Sequence, residues 1–295
     1  MQRSVMWVVL AGALWGTTGT AAFFLGPDVS PVAIGAATMG LGGVVLAAIG
    51  GASTLALWRD RRSRSWVIVG ALGVVVYPVT FYSAMSTAGI ALGNVIALGL
   101  GPLTAAILEW RIDARSPSRV WWVASGAAVG GIVLLGASTV ELGDGRPGNT
   151  ALGVGLAVIA GVSYGLYTYV FGKLADAGHS PKAIAGGVFG AGAPLLLVVL
   201  LMTGAPLLAS AERVGIIAYL VAGPMVIAYL AFTTALRNLR ASTVATIALV
   251  EPVVATGLAV AVVGEVLGVR AVSGIALVLV SLVVFSTARG AQGRA

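Results

Sequence analysis

Residues 11–16 read Ala-Gly-Ala-Leu-Trp-Gly, and residues 160–165 read Ala-Gly-Val-Ser-Tyr-Gly. The two stretches start 149 residues apart, and each places an aromatic residue directly before the second of two glycines. Glycines four positions apart share one face of a helix and allow another helix to approach closely within a membrane. The pair therefore predicts two related halves whose first helices pack in the same way.

Further matches keep this offset to within two residues, and they occur in the same order. Tyr82 stands 20 residues before Pro102, Phe232 stands 20 residues before Pro252, and a Ser-Gly pair at residues 125–126 returns at residues 273–274. Together they predict a duplication, with a first repeat over residues 1–145 and a second over residues 146–295.

The composition indicates that these repeats lie in a membrane. Of the 295 residues, 59% are hydrophobic and 9% are charged, whereas soluble domains have about 45–50% and about 25%. A helix crosses the hydrocarbon core of a bilayer with about 20 apolar residues. Ten runs qualify as spans, at residues 4–25, 31–57, 66–87, 89–109, 120–139, 151–172, 183–203, 214–236, 241–263 and 271–288.

The basic residues predict the orientation of these spans. Fourteen of the 17 lie in the termini or in the loops at residues 59–64, 111–119, 173–182 and 237–240. The alternate loops carry Arg146, Arg213 and Arg270 and are mildly acidic, with Asp28, Glu141, Asp144, Glu212 and Glu265. By the positive-inside rule both termini are cytoplasmic. The net charge of +7 is thus a consequence of topology, and no nucleic-acid partner is expected.

Five spans per half is an odd number, so the second half must enter the membrane from the opposite face. The expected fold is an all-α membrane protein with ten transmembrane helices in two inverted five-helix repeats. Carriers use this plan because the halves can exchange conformations around a site at the midplane. Short loops leave no room for a soluble domain, so transport is the expected activity.

Several other classes of function are excluded by missing residues. The chain has no cysteine and a single histidine, His179, so thiol chemistry, iron–sulfur clusters and imidazole metal sites are not expected. It has no GxxxxGK[ST] or HExxH sequence and no pair of aspartates within the spans, which argues against an ATP-driven pump or a protease. We expect neither an enzyme nor a cofactor or metal. We interpret the Gly12–Gly16 pair as intramolecular packing, so a monomer is expected.

Two motifs resemble those of EamA-type carriers of the drug/metabolite transporter superfamily. They are Leu14-Trp15-Gly16 in span 1 and Leu249-Val250-Glu251-Pro252-Val253 in span 9, which Gly264-Glu265 follows; Gly101-Pro102-Leu103 resembles the first-half version. The resemblance covers essentially the whole chain and implies export of amino acids and related metabolites, as by the YddG-type aromatic amino acid exporters. Span 1 has no acidic residue at mid-depth, which argues against proton-coupled export of cationic drugs.

Glu251 is the outstanding candidate for coupling or gating, because an acidic residue inside a membrane span is costly. It either carries a proton or contacts a substrate ammonium group, or it makes a hydrogen bond that only packs helices. Pro102 and Pro252 lie within spans and free the carbonyls of Leu98 and Ala248. They either flex during gating or form static kinks.

Aromatic and polar residues within the spans are the candidates for substrate binding: Trp15, Thr18, Tyr77, Tyr82, Asn94, Tyr164 and Tyr167. Hydroxyls and an amide can contact a zwitterion while rings contact its apolar part. The indole N–H of Trp15 needs a partner, for which Thr17, Thr18 and Tyr164 are candidates. The alternative is that Trp15 and Tyr164 only pack helices together.

The expected function is a secondary transporter that exports amino acids or related small metabolites across the bacterial inner membrane by alternating access. Its partners are then a small-molecule substrate and the lipid bilayer. One alternative is an exporter of drugs or other metabolites with the same fold. Another is a membrane scaffold without transport, which would show no solute flux.

Overall fold

The computed structural model describes residues 2–88, 90–140, 150–263 and 268–287, which form helices and turns with no strand among them. The α-helices are α1 Gln2–Phe23, α2 Pro31–Arg59, α3 Arg61–Ala88, α4 Ile90–Asp113, α5 Arg119–Val140, α6 Thr150–Asp176, α7 Pro181–Thr203, α8 Ala211–Leu220, α9 Ala228–Ala235, α10 Ala241–Ile247, α11 Glu251–Leu258 and α12 Val269–Thr287. The boundary at residue 145 and the residues Glu141, Asp144, Arg146, Glu265, Arg289 and Arg294 lie outside the described residues.

Two of the long helical stretches combine more than one helix type. A π turn, Val221–Ile227, joins α8 to α9, and a 3-10 turn, Ala248–Val250, joins α10 to α11. Counted in this way, eight stretches within the described ranges are long and apolar enough to cross a membrane. The apolar segments of α5 and α12 are shorter, at Arg119–Leu134 and Val272–Ser281. The protein is therefore a multi-pass helical membrane protein, and the count of ten spans stays a prediction.

The second helix is longer than the hydrocarbon core, as its apolar run suggests. Its 29 residues measure about 44 Å at about 1.5 Å per residue, against a core of about 30 Å. The backbone leaves helical geometry at Gly51, where φ is +48°, a value that glycine adopts without a Cβ clash. The helix thus bends near the basic loop and ends at Arg59.

The helices pair so that exchanging the two halves maps one contact onto another. The second and seventh helices, α2 and α7, pack together, and so do α5 and α12. The contact of α3 with α6 corresponds to the contact of α9 with α1, and the contact of α4 with α6 corresponds to that of α11 with α1. This is the pattern expected of two related repeats, and their inverted orientation in the membrane stays a prediction.

The paired glycines show the same correspondence at atomic scale. A Cβ added to Gly16 of α1 would stand 2.8 Å from the carbonyl oxygen of Glu251, and one added to Gly165 of α6 would stand 2.6 Å from the carbonyl oxygen of Gly101. Real Cβ atoms essentially never come so close, so only glycine fits at either crossing. The Gly12–Gly16 face therefore packs within the chain.

The starts of α2 and α7 repeat one another as well. Ser30 Oγ accepts a hydrogen bond from the N–H of Ala33 at 3.1 Å, and Ser180 Oγ accepts one from the N–H of Ala183 at 3.3 Å. In both cases proline occupies the first helical position, where its missing N–H costs no helical hydrogen bond. These serine caps fix where the two central helices begin.

The predicted basic loops lie together at one end of the bundle, which we call the basic end. Lys173 pairs with Asp113 at 2.7 Å, Arg115 pairs with Asp176 at 2.9 Å, and Ser63 Oγ lies 2.7 Å from Nε2 of His179. At the other end, Arg213 donates to both carboxylate oxygens of Asp28, at 2.7 and 2.8 Å. The grouping agrees with the alternation of charge along the sequence.

Candidate substrate-binding cavity

A cavity of about 100 Å³ lies among the helices, and residues from both halves of the chain line it. A single water needs roughly 10–15 Å³ by this measure, so there is room for several waters or one small solute. Its walls are Trp15, Thr18, Gly35, Thr38, Met39, Tyr77, Phe81, Tyr82, Leu98, Tyr164, Tyr167, Pro224, Met225, Tyr229 and Glu251.

The π turn between α8 and α9 fixes the orientation of Trp15. The N–H of Ala228 donates to the carbonyls of Gly223 and Met225, so the carbonyl of Pro224 does not receive the bond it would accept in a regular α-helix. The indole Nε1–H of Trp15 donates to that carbonyl at 2.8 Å. The expected partners of this indole were wrong, because a backbone group freed by the π turn takes that role.

Four tyrosines form a connected wall of the cavity. The hydroxyls of Tyr167 and Tyr229 lie 3.0 Å apart. Ring centroids are 5.9 Å apart between Tyr77 and Tyr164, 5.9 Å between Tyr77 and Tyr167, and 5.5 Å between Tyr164 and Tyr167. Aromatic pairs at these separations attract one another beyond their apolar burial. The wall therefore connects α3, α6 and α9.

Glu251 lies where the burial of residues 241–258 changes. Residues 241–250 are all buried, whereas residues 251–258 are all at least partly exposed. The carboxyl of Glu251 lines the cavity, and the described hydrogen bonds and ion pairs include none made by it. The corresponding position in the first half is Gly101, where a Cβ would collide with the ring of Tyr164. The ring that fills the space beside Gly101 and the carboxyl of Glu251 therefore both come from the second half.

The two prolines of the paired motifs behave differently. Pro252 follows a 3-10 turn that separates α10 from α11, which fits a proline that removes one backbone donor. Pro102 lies inside α4, which runs without interruption from Ile90 to Asp113. Neither proline lines the cavity, although Leu98, whose carbonyl Pro102 was expected to free, does so.

Six of the seven predicted binding residues line this one cavity, namely Trp15, Thr18, Tyr77, Tyr82, Tyr164 and Tyr167. Asn94 is partly exposed on α4 and does not line it. The prediction missed the contribution of α2, from Gly35, Thr38 and Met39, and that of Pro224 and Met225 in the π turn. The spacing 35, 38 and 39 marks one helix face, but nothing in the sequence says that this face meets the cavity.

A second polar cluster, between Glu109 and Ser242, lies at the basic end of the bundle. Glu109 is 5% exposed, and its carboxylate accepts hydrogen bonds from the N–H of Ser242, at 3.2 Å, and from the hydroxyl of Ser242. These bonds tie the end of α4 to the start of α10. Burying a carboxylate is costly unless it is hydrogen-bonded, and Ser242 supplies that compensation.

A family model describes this arrangement of helices twice over. The model of the EamA-like transporter family matches residues 2–137 and again residues 151–287. The chain belongs to the EamA-like transporter family. It is a membrane transporter, as the motifs around Trp15 and Glu251 led us to expect. The closer resemblance to YddG-type exporters stays a prediction.

Two relatives of this EamA-like transporter are described as transporters. An uncharacterized transporter of Bacillus subtilis, YwfM, is 31% identical over 291 residues, which cover 96% of this chain and 93% of that protein. An uncharacterized transporter of Clostridium kluyveri is 28% identical over 137 residues, or 45% of this chain and 43% of that protein. A solved crystal structure at 20% identity superposes with a TM-score of 0.80 over 97% of each chain, which shows a shared fold.

Proposed function

We propose that this EamA-like transporter is a ten-helix secondary carrier that exports amino acids or related small metabolites by alternating access. The carrying observation is the cavity, which lies between the halves and takes its walls from both. Apolar rings line it together with hydroxyls and one carboxyl, a combination suited to a small solute with an apolar part and a polar group. Such a solute is released when the two halves rearrange around the site.

The correspondence between the two halves supports the alternating-access part of this proposal. The family model matches the chain once in each half, and the glycine crossings at Gly16 and Gly165 correspond to each other. The serine caps of α2 and α7 do so too. In an inverted pair, a rearrangement that opens one end has a counterpart that opens the other.

The positions of the charged loops support the proposed orientation. The basic loops lie at one end, which by the positive-inside rule is the cytoplasmic end. Both termini are then cytoplasmic, and the membrane is the bacterial inner membrane. Residues 241–250 are packed tightly toward the basic end, so the described conformation corresponds to a carrier closed to the cytoplasm.

Uptake into proteoliposomes tests this function. The full chain is reconstituted, and a panel of labelled amino acids is supplied with and without an imposed pH gradient. We expect saturable uptake that unlabelled substrate competes away, and stimulation by the gradient would indicate antiport. Leu201→Ala is the control variant, because Leu201 is 84% exposed at a distance from the cavity. Absence of flux from well-folded protein for every solute would favour the scaffold alternative.

A further inference from the structure

The charges that face the cavity are unbalanced. Its lining includes one acidic side chain, Glu251, and among the described residues no arginine, lysine or histidine lines it. The carboxyl of Glu251 has no hydrogen-bond or ion-pair partner among the described contacts. A carboxylate inside a helical bundle without a counter-charge is costly, so a bound cation would stabilise this site whereas a bound anion would destabilise it.

The donors in the wall are poorly placed to hold a carboxylate of the substrate. The indole N–H of Trp15 already donates to Pro224, and the hydroxyl of Thr38 already donates to the carbonyl of Ile34 at 2.7 Å. The hydroxyls of Tyr167 and Tyr229 bond to each other, which uses the hydrogen of one of the two. What remains is neutral hydroxyls, and these would have to hold the substrate carboxylate against repulsion from Glu251.

The rings favour the opposite sign of charge. Seven aromatic side chains line the cavity: Trp15, Tyr77, Phe81, Tyr82, Tyr164, Tyr167 and Tyr229. The face of an aromatic ring carries negative charge in its quadrupole, and it attracts ammonium groups within about 6 Å. The rings can also stack against an aromatic or aliphatic body. The absence of an acidic residue in span 1 argued against proton-coupled export of cationic drugs, whereas the acidic residue that lines the cavity, Glu251, comes from the second half.

We propose that the cavity binds a protonated amine carried on a single-ring or similar apolar body, with Glu251 as its counter-ion, and that it disfavours a carboxylate on the same molecule. The inference rests on the proposed transport function and narrows the substrate from amino acids and related metabolites to the amines among them. Glu251 makes the ion pair, and the rings surround the ammonium group and the apolar body.

Three probes of nearly equal size separate the charge types. Phenethylamine is a cation, phenylalanine is a zwitterion and 3-phenylpropionate is an anion at pH 7. Each is titrated calorimetrically into the purified full chain in lipid nanodiscs, which avoids leakage of the free amine across a liposome. We expect phenethylamine to bind about tenfold more tightly than phenylalanine or better, with no detectable binding of the anion.

Variants of Glu251 connect the preference to that carboxyl. We expect Glu251→Gln to weaken phenethylamine binding by about tenfold or more, and Glu251→Asp, which keeps the charge, to retain most of it. Leu201→Ala should bind as the natural chain does. Each variant is checked for a single gel-filtration peak, so that a misfolded protein is not scored as loss of binding.

The outcomes distinguish this inference from the function on which it rests. Binding or transport of phenylalanine without phenethylamine, equal binding of both, or an unchanged affinity in Glu251→Gln would overturn the amine preference and leave the carrier intact. If none of the three probes binds while the amino acid panel is transported, the amine preference again fails alone. If nothing is bound and nothing is transported, both proposals fail.

Discussion

Gly165 shows how closely single residues set the helix contacts of this transporter. An added Cβ at Gly165 would stand 2.6 Å from the carbonyl oxygen of Gly101, so α6 packs directly on the backbone of α4 here. The ring of the neighbouring residue, Tyr164, lines the cavity. Gly155, in the same helix, has open space where a Cβ would be. The two positions therefore separate close packing from the general effect of removing a glycine.

We expect Gly165→Ala to destabilise the protein by about 1–3 kcal/mol, because an added methyl group must displace backbone rather than a flexible side chain. Gly155→Ala should leave stability unchanged or raise it slightly, since alanine is the better helix former. Thermal unfolding of both variants in the same detergent measures the difference. Equal midpoints would show that the crossing relaxes without cost.

Trp15 gives a second test at this scale. Trp15→Phe keeps a ring in the cavity wall but leaves the carbonyl of Pro224 without the indole donor, and a buried acceptor left unpaired costs about 1–3 kcal/mol. The matched change is Trp122→Phe, because Trp122 is 56% exposed. We expect a lower unfolding temperature for the first variant only, and similar shifts for both would contradict the role assigned to the hydrogen bond.

The residues of the cavity differ in how far the sequence could predict them. Trp15, Tyr164 and Glu251 stand out because aromatic and acidic groups in apolar spans are conspicuous, and the cavity includes all three. Asn94 was equally conspicuous yet points elsewhere, because composition does not fix which face of a helix meets the cavity. The role of Pro224 depends on a π turn, and no periodicity in the sequence marks that turn.

At the scale of elements, the turn from α1 to α2 is held to α8 by one ion pair. Gly26, with φ of +89°, makes the turn, and Asp28 then meets the guanidinium of Arg213 with two hydrogen bonds. Hydrogen bonding from Arg213 holds the pKa of Asp28 below its usual value. The pair therefore connects the α1–α2 turn to α8 at the end of the bundle opposite the basic loops.

This pair gives a pH dependence with a definite sign. Because the pKa of Asp28 is lowered by folding, its contribution to stability is complete above the ordinary aspartate pKa of about 3.9 and is lost as the pH falls through the folded value. We expect Asp28→Asn to lower the unfolding temperature at pH 7 and to differ less from the natural chain at pH 3.5. A double variant with Arg213→Gln should add little, and additive losses would argue that the two residues act separately.

At the scale of the whole molecule, different polar contacts connect the helices at the two ends of the bundle. The basic end has the buried bonds between Glu109 and Ser242, whereas the positions 150 residues away in the other half are Ala259 and Leu92. The correspondence between the two halves was visible in the sequence offset. The asymmetry of the closures was not, because it depends on which loops meet in space.

We expect Ser242→Ala to weaken closure at the basic end by removing one hydrogen bond to a buried carboxylate, worth about 1.5–3 kcal/mol. The chain has no cysteine, so Thr38→Cys in the cavity wall can report access without a background. In oriented vesicles, a membrane-impermeant maleimide applied at the basic end should label Thr38→Cys faster when Ser242→Ala is also present. An unchanged labelling rate would show that other contacts hold this end closed.

For the proposed carrier, a carboxyl at residue 251 and a glycine at residue 101 limit how far an exchange of protons for amines could concentrate the substrate. A cycle in which the one carboxyl that lines the described cavity gives up a proton for each protonated amine it takes is electroneutral. The membrane potential then does no work on it, and only the difference in pH drives the amine. Since one pH unit corresponds to about 1.4 kcal/mol, or about tenfold in concentration, such a carrier accumulates its substrate by about tenfold per unit. A second carboxyl at residue 101 would allow two protons to exchange for one amine, and the membrane potential would then act on the net charge moved, but the ring of Tyr164 already occupies the space.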